Sequence, residues 1–376
     1  MTEEDRQPSP VLAQENMGTS TPASPAVSAF VPRLSTFAEV MQRALYEPGV
    51  GYYGRGPRRI GRTGDFFTAV SVGPLYGRLL AQTAAEVWAD LGCPDDFTIV
   101  EQGAHDGQLA ADLWHGWPHE QKPRYVIVEP QPAYRAVQMA RLESLMGSSV
   151  EWVASLAELA SRPHFCACFL SNELLDAFPV HRVRWTGKEW LEQHVTPDLQ
   201  WVDGPLSGPA VEQEVARLPC ELPSDYVTEV HPQAVAWMTE MTRLPFRGAI
   251  LIADYGYEAA EYYAPERSDG TVRRYHEHRS DGRVLEDLGD CDLTAHVNFT
   301  RLIETAEAGG LSVARFMDQG RFLTHAAVPW LRSLEGRSKT GDTAAALRQF
   351  HTLTHPGHMG AAFRMLLLKT AIDPQA

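Results

Sequence analysis

The sequence predicts an α/β fold: a Rossmann-like, mostly parallel sheet with helices on both faces, elaborated by insertions. Three observations carry that prediction. Five short apolar runs lack polar alternation, as strands covered on both faces do. Helical patterns separate the first four of them, which is the mark of right-handed βαβ units. No apolar run reaches the ~18 residues that a membrane span requires, so the runs belong to a packed core.

The elements follow in order. Residues 1–33 are rich in Pro, Ser, Thr, Ala and Gln, with no aromatic residue before Phe30. Such a composition cannot bury enough apolar surface to offset its ordering entropy, which predicts a disordered tail before one domain spanning 34–376. Ser35-Thr36 is an N-cap signal for an amphipathic run of Phe37, Val40, Met41, Ala44 and Leu45. Glu47-Pro48-Gly49-Val50-Gly51 ends that helix with turn residues. Strands are predicted at 97–100, 125–128, 150–153, 165–170 and 249–253, with helices at 108–114 and 133–145 between the early ones. Two later runs, 311–317 and 362–368, complete a seven-stranded sheet. The rhythm breaks at about 180–232, which holds a hairpin-like run Val183 to Trp190, and again at about 258–298. Both are read as insertions leaving the carboxyl edge of the sheet, where ligands bind in open α/β folds. Trp185 and Trp190 then form a small satellite core.

Composition excludes several classes. Lys and Arg number 33 against 48 Asp and Glu, a net charge of −15. Without a basic cluster, nucleic-acid and anionic-membrane binding are disfavoured. The five cysteines are scattered, and Cys166-Ala167-Cys168 is too tight for a C-x-x-C site. Free thiols and an acidic start with no apolar h-region predict a cytoplasmic protein without membrane insertion. His276-Glu277-His278 and His296 lack a helix-borne metal motif, so no metal is expected.

The chemistry concentrates at Glu101-Gln102-Gly103-Ala104-His105-Asp106-Gly107, where a strand enters a helix through a glycine-bearing turn. Gly103 and Gly107 allow a ligand to approach the backbone closely. Glu129 ends the next strand, 22 residues after Gly107, and its two oxygens suit a ribose diol. Neither G-x-G-x-x-G nor a phosphate loop is present, which favours an adenosine ligand lacking pyrophosphate. S-adenosylmethionine is the common one, with Glu101 or Asp106 near its cationic end. After the fourth strand come Asn172, Glu173 and Asp176 at a predicted helix start, and Asp254 follows the fifth strand at the same edge. Carboxylates there can grip a guanidinium, although acids also favour a helix N-terminus.

Several stretches together resemble the MidA-like methyltransferases, which include mitochondrial complex I assembly methyltransferases. They are Arg43 to Tyr53, Ile60-Gly61-Arg62-Thr63-Gly64-Asp65-Phe66-Phe67-Thr68, Ser171 to Val180, Asp254-Tyr255-Gly256-Tyr257 and Asp292 to Phe299. The resemblance covers nearly everything after residue 35. It implies a class I methyltransferase core, S-adenosyl-L-methionine as cofactor, and a protein arginine acceptor, possibly on a respiratory-complex subunit. It also brings Gly64, Asp65 and Phe66 to the cofactor, a carboxylate and ring faces suiting a sulfonium. The family turn is glycine-richer, and His105 stands where its middle glycine falls. Two other readings stay open: a non-catalytic assembly chaperone with a degenerate cofactor site, and an NAD-dependent Rossmann enzyme using Glu129.

Overall fold

The computed structural model describes residues 30–57, 68–219, 221–276, 279–336 and 341–371. Seven strands build the body of the main sheet: β1 (Thr98–Gln102), β2 (Arg124–Val128), β3 (Val150–Val153), β4 (Phe165–Asn172), β5 (Phe246–Tyr257), β6 (Leu311–Asp318) and β7 (Phe363–Thr370), and the short strand Val297–Asn298 pairs with the end of β5. Their spatial order is β3-β2-β1-β4-β5-β7-β6. The first five pair parallel, while β7 runs antiparallel to both neighbours. All seven predicted strands are therefore present. Residues alternate between faces along each strand: Ile99, Ile127, Leu170 and Leu251 enter one apolar cluster, and Val100, Val126, Phe169 and Ile250 the other. Two covered faces favour apolar residues at successive strand positions, hence the unalternated runs.

Helices α2 (Leu75–Asp90), α3 (Gln108–Gly116) and α4 (Pro132–Met146) cover the first face, together with α7 (Gln319–Ala326) and α8 (Asp342–Thr354). The opposite face packs on α5 (Pro232–Thr242) and α6 (Phe299–Ala308). Before them, α1 (Phe37–Tyr46) starts at Thr36, whose side chain accepts the Glu39 N–H at 3.2 Å while Glu39 accepts the Thr36 N–H at 3.0 Å. That reciprocal cap satisfies two helix-start donors that would otherwise lack partners.

The insertions form two antiparallel sheets. Strands Trp190–Val195 and His181–Trp185 make the predicted hairpin, and Ser35–Thr36 pairs onto its edge. Trp185 and Trp190 meet with ring centroids 5.4 Å apart. The second insertion holds Arg273–His276 between Arg279–Asp281 and Asp292–Thr294. One apolar cluster joins Phe30, Phe37 and Leu45 to Val180 and Val195 of the first insertion and Val272 and Leu293 of the second. Buried Glu229 adds a polar tie, accepting the Thr271 N–H at 2.8 Å. Three chain segments thus build one cap over the carboxyl edge of the sheet.

Two expectations change. Residues 1–29 of the proposed tail lie outside the described residues, but Phe30 and Val31 are buried, so ordered chain begins before residue 34. No helix follows β4: residues 173–178 form a turn, with the Phe178 N–H bonded to the Leu175 carbonyl at 3.1 Å. Glu173 has φ +51°, a left-handed conformation that cannot begin a right-handed helix.

Candidate active site

The register puts Gln102 of β1 beside Val128 of β2 and Ser171 of β4, and Asn172 beside Ala253 of β5. These strand ends form the floor of a cleft of about 920 Å³. The cap supplies its far wall through Tyr46, Tyr53, Tyr275 and Asp292.

At one end lies the turn after β1. Gly103 lines the cleft at φ +83°, where a Cβ would come 3.3 Å from a Leu174 methyl. His105 lines it too, in the left-handed region at φ +46°, as a residue in the place of a glycine must be. Gly107, expected to bind the ligand, is not among the lining residues. Its φ of +79° lets the chain enter α3, and a Cβ there would press on Leu142 at 3.2 Å. Glu101 is buried, and the Tyr125 hydroxyl donates to it at 2.5 Å. Burial lifts its carboxyl to about 7, against the pull of that hydrogen bond. Asp106 lines the cleft but is already engaged: Arg141 lies 2.7 Å from its carboxylate, and the Gln108 N–H donates to it. Burial alone would raise Asp106, but the His105 and Arg141 contacts hold it below the usual range. That makes Glu101 the better partner for a cation.

Glu129 stands at the end of β2 as expected, with donors from the Gln131 N–H at 2.9 Å and Gln138 Nε2 at 3.1 Å. Burial raises its carboxyl. Each oxygen has a second lone pair for a hydroxyl proton.

At the other end, Asn172, Glu173 and Asp176 line the cleft. Asn172 accepts from the Tyr76 hydroxyl at 2.6 Å and donates to Glu173 at 3.1 Å. Burial, then the neighbouring Asp254, lifts Glu173 to about 8. Asp176 is raised well above the carboxylate range by burial, Asp254 and Glu173. Asp292 adds a third lining carboxylate, to which the Tyr53 hydroxyl donates at 2.9 Å.

Asp254 departs from its expected catalytic place. It is wholly buried, does not line the cleft, and accepts backbone N–H groups from Leu174 and Leu175. Gly64, Asp65 and Phe66 lie outside the described residues; Pro57 and Thr68, on either side of that stretch, line the cleft. Sequence reasoning overlooked Tyr46, Tyr53, Tyr134, Tyr275 and Asp292 as site residues. Membership of Tyr46, Tyr53 and Asp292 in the motif stretches was the available signal. Tyr275 and Tyr134 carry none, because only the tertiary fold brings them to the cleft.

Residues 79–317 match a family model described as "Putative S-adenosyl-L-methionine-dependent methyltransferase". The chain belongs to this family. It is 27% identical over 372 residues to the protein arginine methyltransferase NDUFAF7, mitochondrial, of Rattus norvegicus, covering 89% of this chain and 80% of the relative. The Drosophila melanogaster homologue is 26% identical over 368 residues, with 88% and 80% covered. Among solved structures, a Burkholderia thailandensis protein bound to S-adenosyl-homocysteine superposes with a TM-score of 0.80 at 29% identity, covering 91% of this chain and 89% of that one. This methyltransferase uses S-adenosyl-L-methionine, and its cleft fits that cofactor. Gly103 leaves the backbone approachable, a carboxylate ends β2, and no phosphate loop is present.

Proposed function

We propose that this enzyme methylates an arginine side chain of a protein, with Glu129 on the cofactor ribose and Glu101 near its amino-acid end. The stretch around Gly64, Asp65 and Phe66 completes that subsite, and Asn172, which donates to Glu173, joins it to the acceptor end. The observation that carries the reading is the acidic acceptor end, where Glu173, Asp176 and Asp292 all line the cleft. Among the described residues, neither Glu173 nor Asp176 has a Lys or Arg ion-pair partner. A guanidinium entering there would meet carboxylates able to bind it through paired hydrogen bonds. Tyr46, Tyr53, Tyr255 and Tyr275 add rings against which a delocalised cation packs favourably. Bound S-adenosylmethionine supplies the electrophilic methyl group. Glu173 and Asp176 orient the acceptor nitrogen for in-line attack. The nitrogen must shed a proton after alkylation, and Glu173, ionised once a guanidinium pairs with it, can take it.

The relatives are named arginine methyltransferases of mitochondria, which supports an arginine acceptor, and a respiratory-complex subunit is a substrate to test. The free thiols Cys93, Cys166, Cys168 and Cys291 support a reducing compartment, the cytoplasm in our reading, with subcellular fractionation as the check against a mitochondrial one. None of the described helices is long and apolar enough to cross a membrane. The test of function is tritiated methyl transfer from S-adenosylmethionine into a lysate of cells lacking this protein, followed by acid hydrolysis. Label in methylarginine is expected. Label confined to another amino acid or to small molecules would overturn the assignment.

A further inference from the structure

The turn that carries Glu173 and Asp176 has no helix to shape it. Its amides converge instead on one buried side chain. Asp254 Oδ2 accepts the Leu175 N–H at 2.8 Å and the Leu174 N–H at 3.2 Å, and Oδ1 accepts the Tyr255 N–H at 2.9 Å. The Glu173 N–H continues the sheet ladder to the Ala253 carbonyl at 2.9 Å, and the Ala295 N–H bonds to the Asp176 carbonyl at 2.8 Å. With the amides of Leu174 and Leu175 drawn inward, the side chains on either side of them line the cleft. Glu173 pays for this in conformation: φ +51° is strained for a non-glycine residue and persists only where its surroundings enforce it.

From this we propose that Asp254 is the positioning residue of the site, a buried template around which the turn is moulded so that Glu173 and Asp176 face the acceptor. The inference rests on the reading of those two as the acceptor's grip. Asp254 itself meets no substrate. Glu173, Asp176, Tyr76 and Tyr255 are the titratable groups that feel its charge, with Asp292 acting on Glu173 and Asp176. Asp254 therefore has a second effect, raising the proton affinity of Glu173.

Asp254→Asn tests both effects. The amide keeps the shape but turns one acceptor into a donor, which opposes the backbone N–H groups. Methyl transfer into lysate arginine should fall by about 30-fold or more, while S-adenosylhomocysteine affinity by calorimetry stays within about threefold. The pH midpoint of transfer should move downward, because Glu173 loses a negative neighbour. Unchanged transfer, or a loss that follows the folded fraction with the midpoint unmoved, would overturn the proposal. Glu173→Gln run beside it separates the two readings. If Glu173→Gln stays fully active, the acceptor reading fails. If it is inactive while Asp254→Asn is active, only the role of Asp254 fails. Should Asp254→Asn not fold, carboxyl carbon NMR titration of the wild-type protein decides: Asp254 and Glu173 should titrate as an interacting set with multiphasic curves, and independent single-step curves would refute the idea.

Discussion

The two ends of the cleft hold their acids differently. At the cofactor end each acid has a protein partner: Glu101 has Tyr125, Asp106 has Arg141, and Glu129 has Gln131 and Gln138. Hydrogen bonds there offset only part of the burial, since Glu101 still stands at about 7 and Glu129 above its ordinary value. At the acceptor end burial pushes Glu173, Asp176 and Asp254 upward, and Asp254 and Asp292 raise the first two further. This end is built to want a cation, and a shift from 4.5 to about 8 at Glu173 corresponds to a few kcal/mol of unmet interaction. On the proposed reading, a neutral acceptor leaves Glu173 and Asp176 without a counter-charge, and a guanidinium supplies one.

The sharpest way to break that contrast is Glu173→Gln. The amide keeps the size of the side chain but removes the charge proposed to grip and deprotonate the acceptor. Turnover should fall by ~10²-fold or more, while S-adenosylhomocysteine affinity stays within about threefold. Single-turnover methylation beside calorimetry reads both. A fully active variant would mean that the acceptor end does not use its charge.

Glu129→Ala probes the opposite end and should do the converse. Cofactor affinity should weaken by ~1–3 kcal/mol, the worth of charge-assisted hydrogen bonds to the ribose. Turnover at saturating cofactor should change far less. If calorimetry shows unaltered affinity in a folded variant, Glu129 only orders Gln131 and Gln138.

The same contrast explains what the sequence revealed. The sheet was legible because doubly covered strands leave continuous apolar runs, and the cofactor end because a strand, a turn and a carboxylate 22 residues on lie within one βαβ unit. The acceptor end is assembled from chain-distant pieces: Tyr53 before the core, Asp176 after β4 and Asp292 in the second insertion. No local periodicity connects these residues. The error at residues 173–178 has the same origin, since acids after a strand suggest a helix start unless one knows that Asp254, about 80 residues later, receives the amides of Leu174 and Leu175 between them. Its absence from the cleft lining separates Asp254 from the acids it resembles in sequence.

Titration of the empty enzyme gives a smaller effect with a definite sign. The folded Glu173 carboxyl sits at about 8, above its ordinary 4.5, so the folded state binds the extra proton between those values. Stability from this group is fully present below pH ~4.5 and is lost as pH rises through about 8. Glu173→Gln cannot titrate. Its melting temperature relative to wild type should therefore rise by ~2–4 °C or more between pH 5 and pH 8.5. A pH-independent difference would show that Glu173 is ionised throughout, and the contrast between the two ends would lose its basis.

The smallest expected effect is at His105→Gly, which asks whether the cofactor end is as complete as its hydrogen bonds suggest. His105 holds φ +46°, and its carbonyl accepts from Gln138 at 2.9 Å. Its ring packs edge-on to Tyr134 at 5.7 Å, and Nδ1 lies 3.7 Å from Asp106. Glycine relieves left-handed strain of about 1 kcal/mol. It gives up the ring contacts and adds freedom to the unfolded chain, losses of similar size. The backbone that receives the cofactor need not move, since the bond to Gln138 uses the carbonyl rather than the side chain. Stability should therefore change by less than ~1 kcal/mol, and S-adenosylhomocysteine affinity should stay within about threefold. A gain of tenfold or more would mean that the imidazole obstructs the cofactor. The site would then be a partly closed version of the family turn, and the reading as an assembly chaperone would recover ground that the intact cofactor end otherwise denies it.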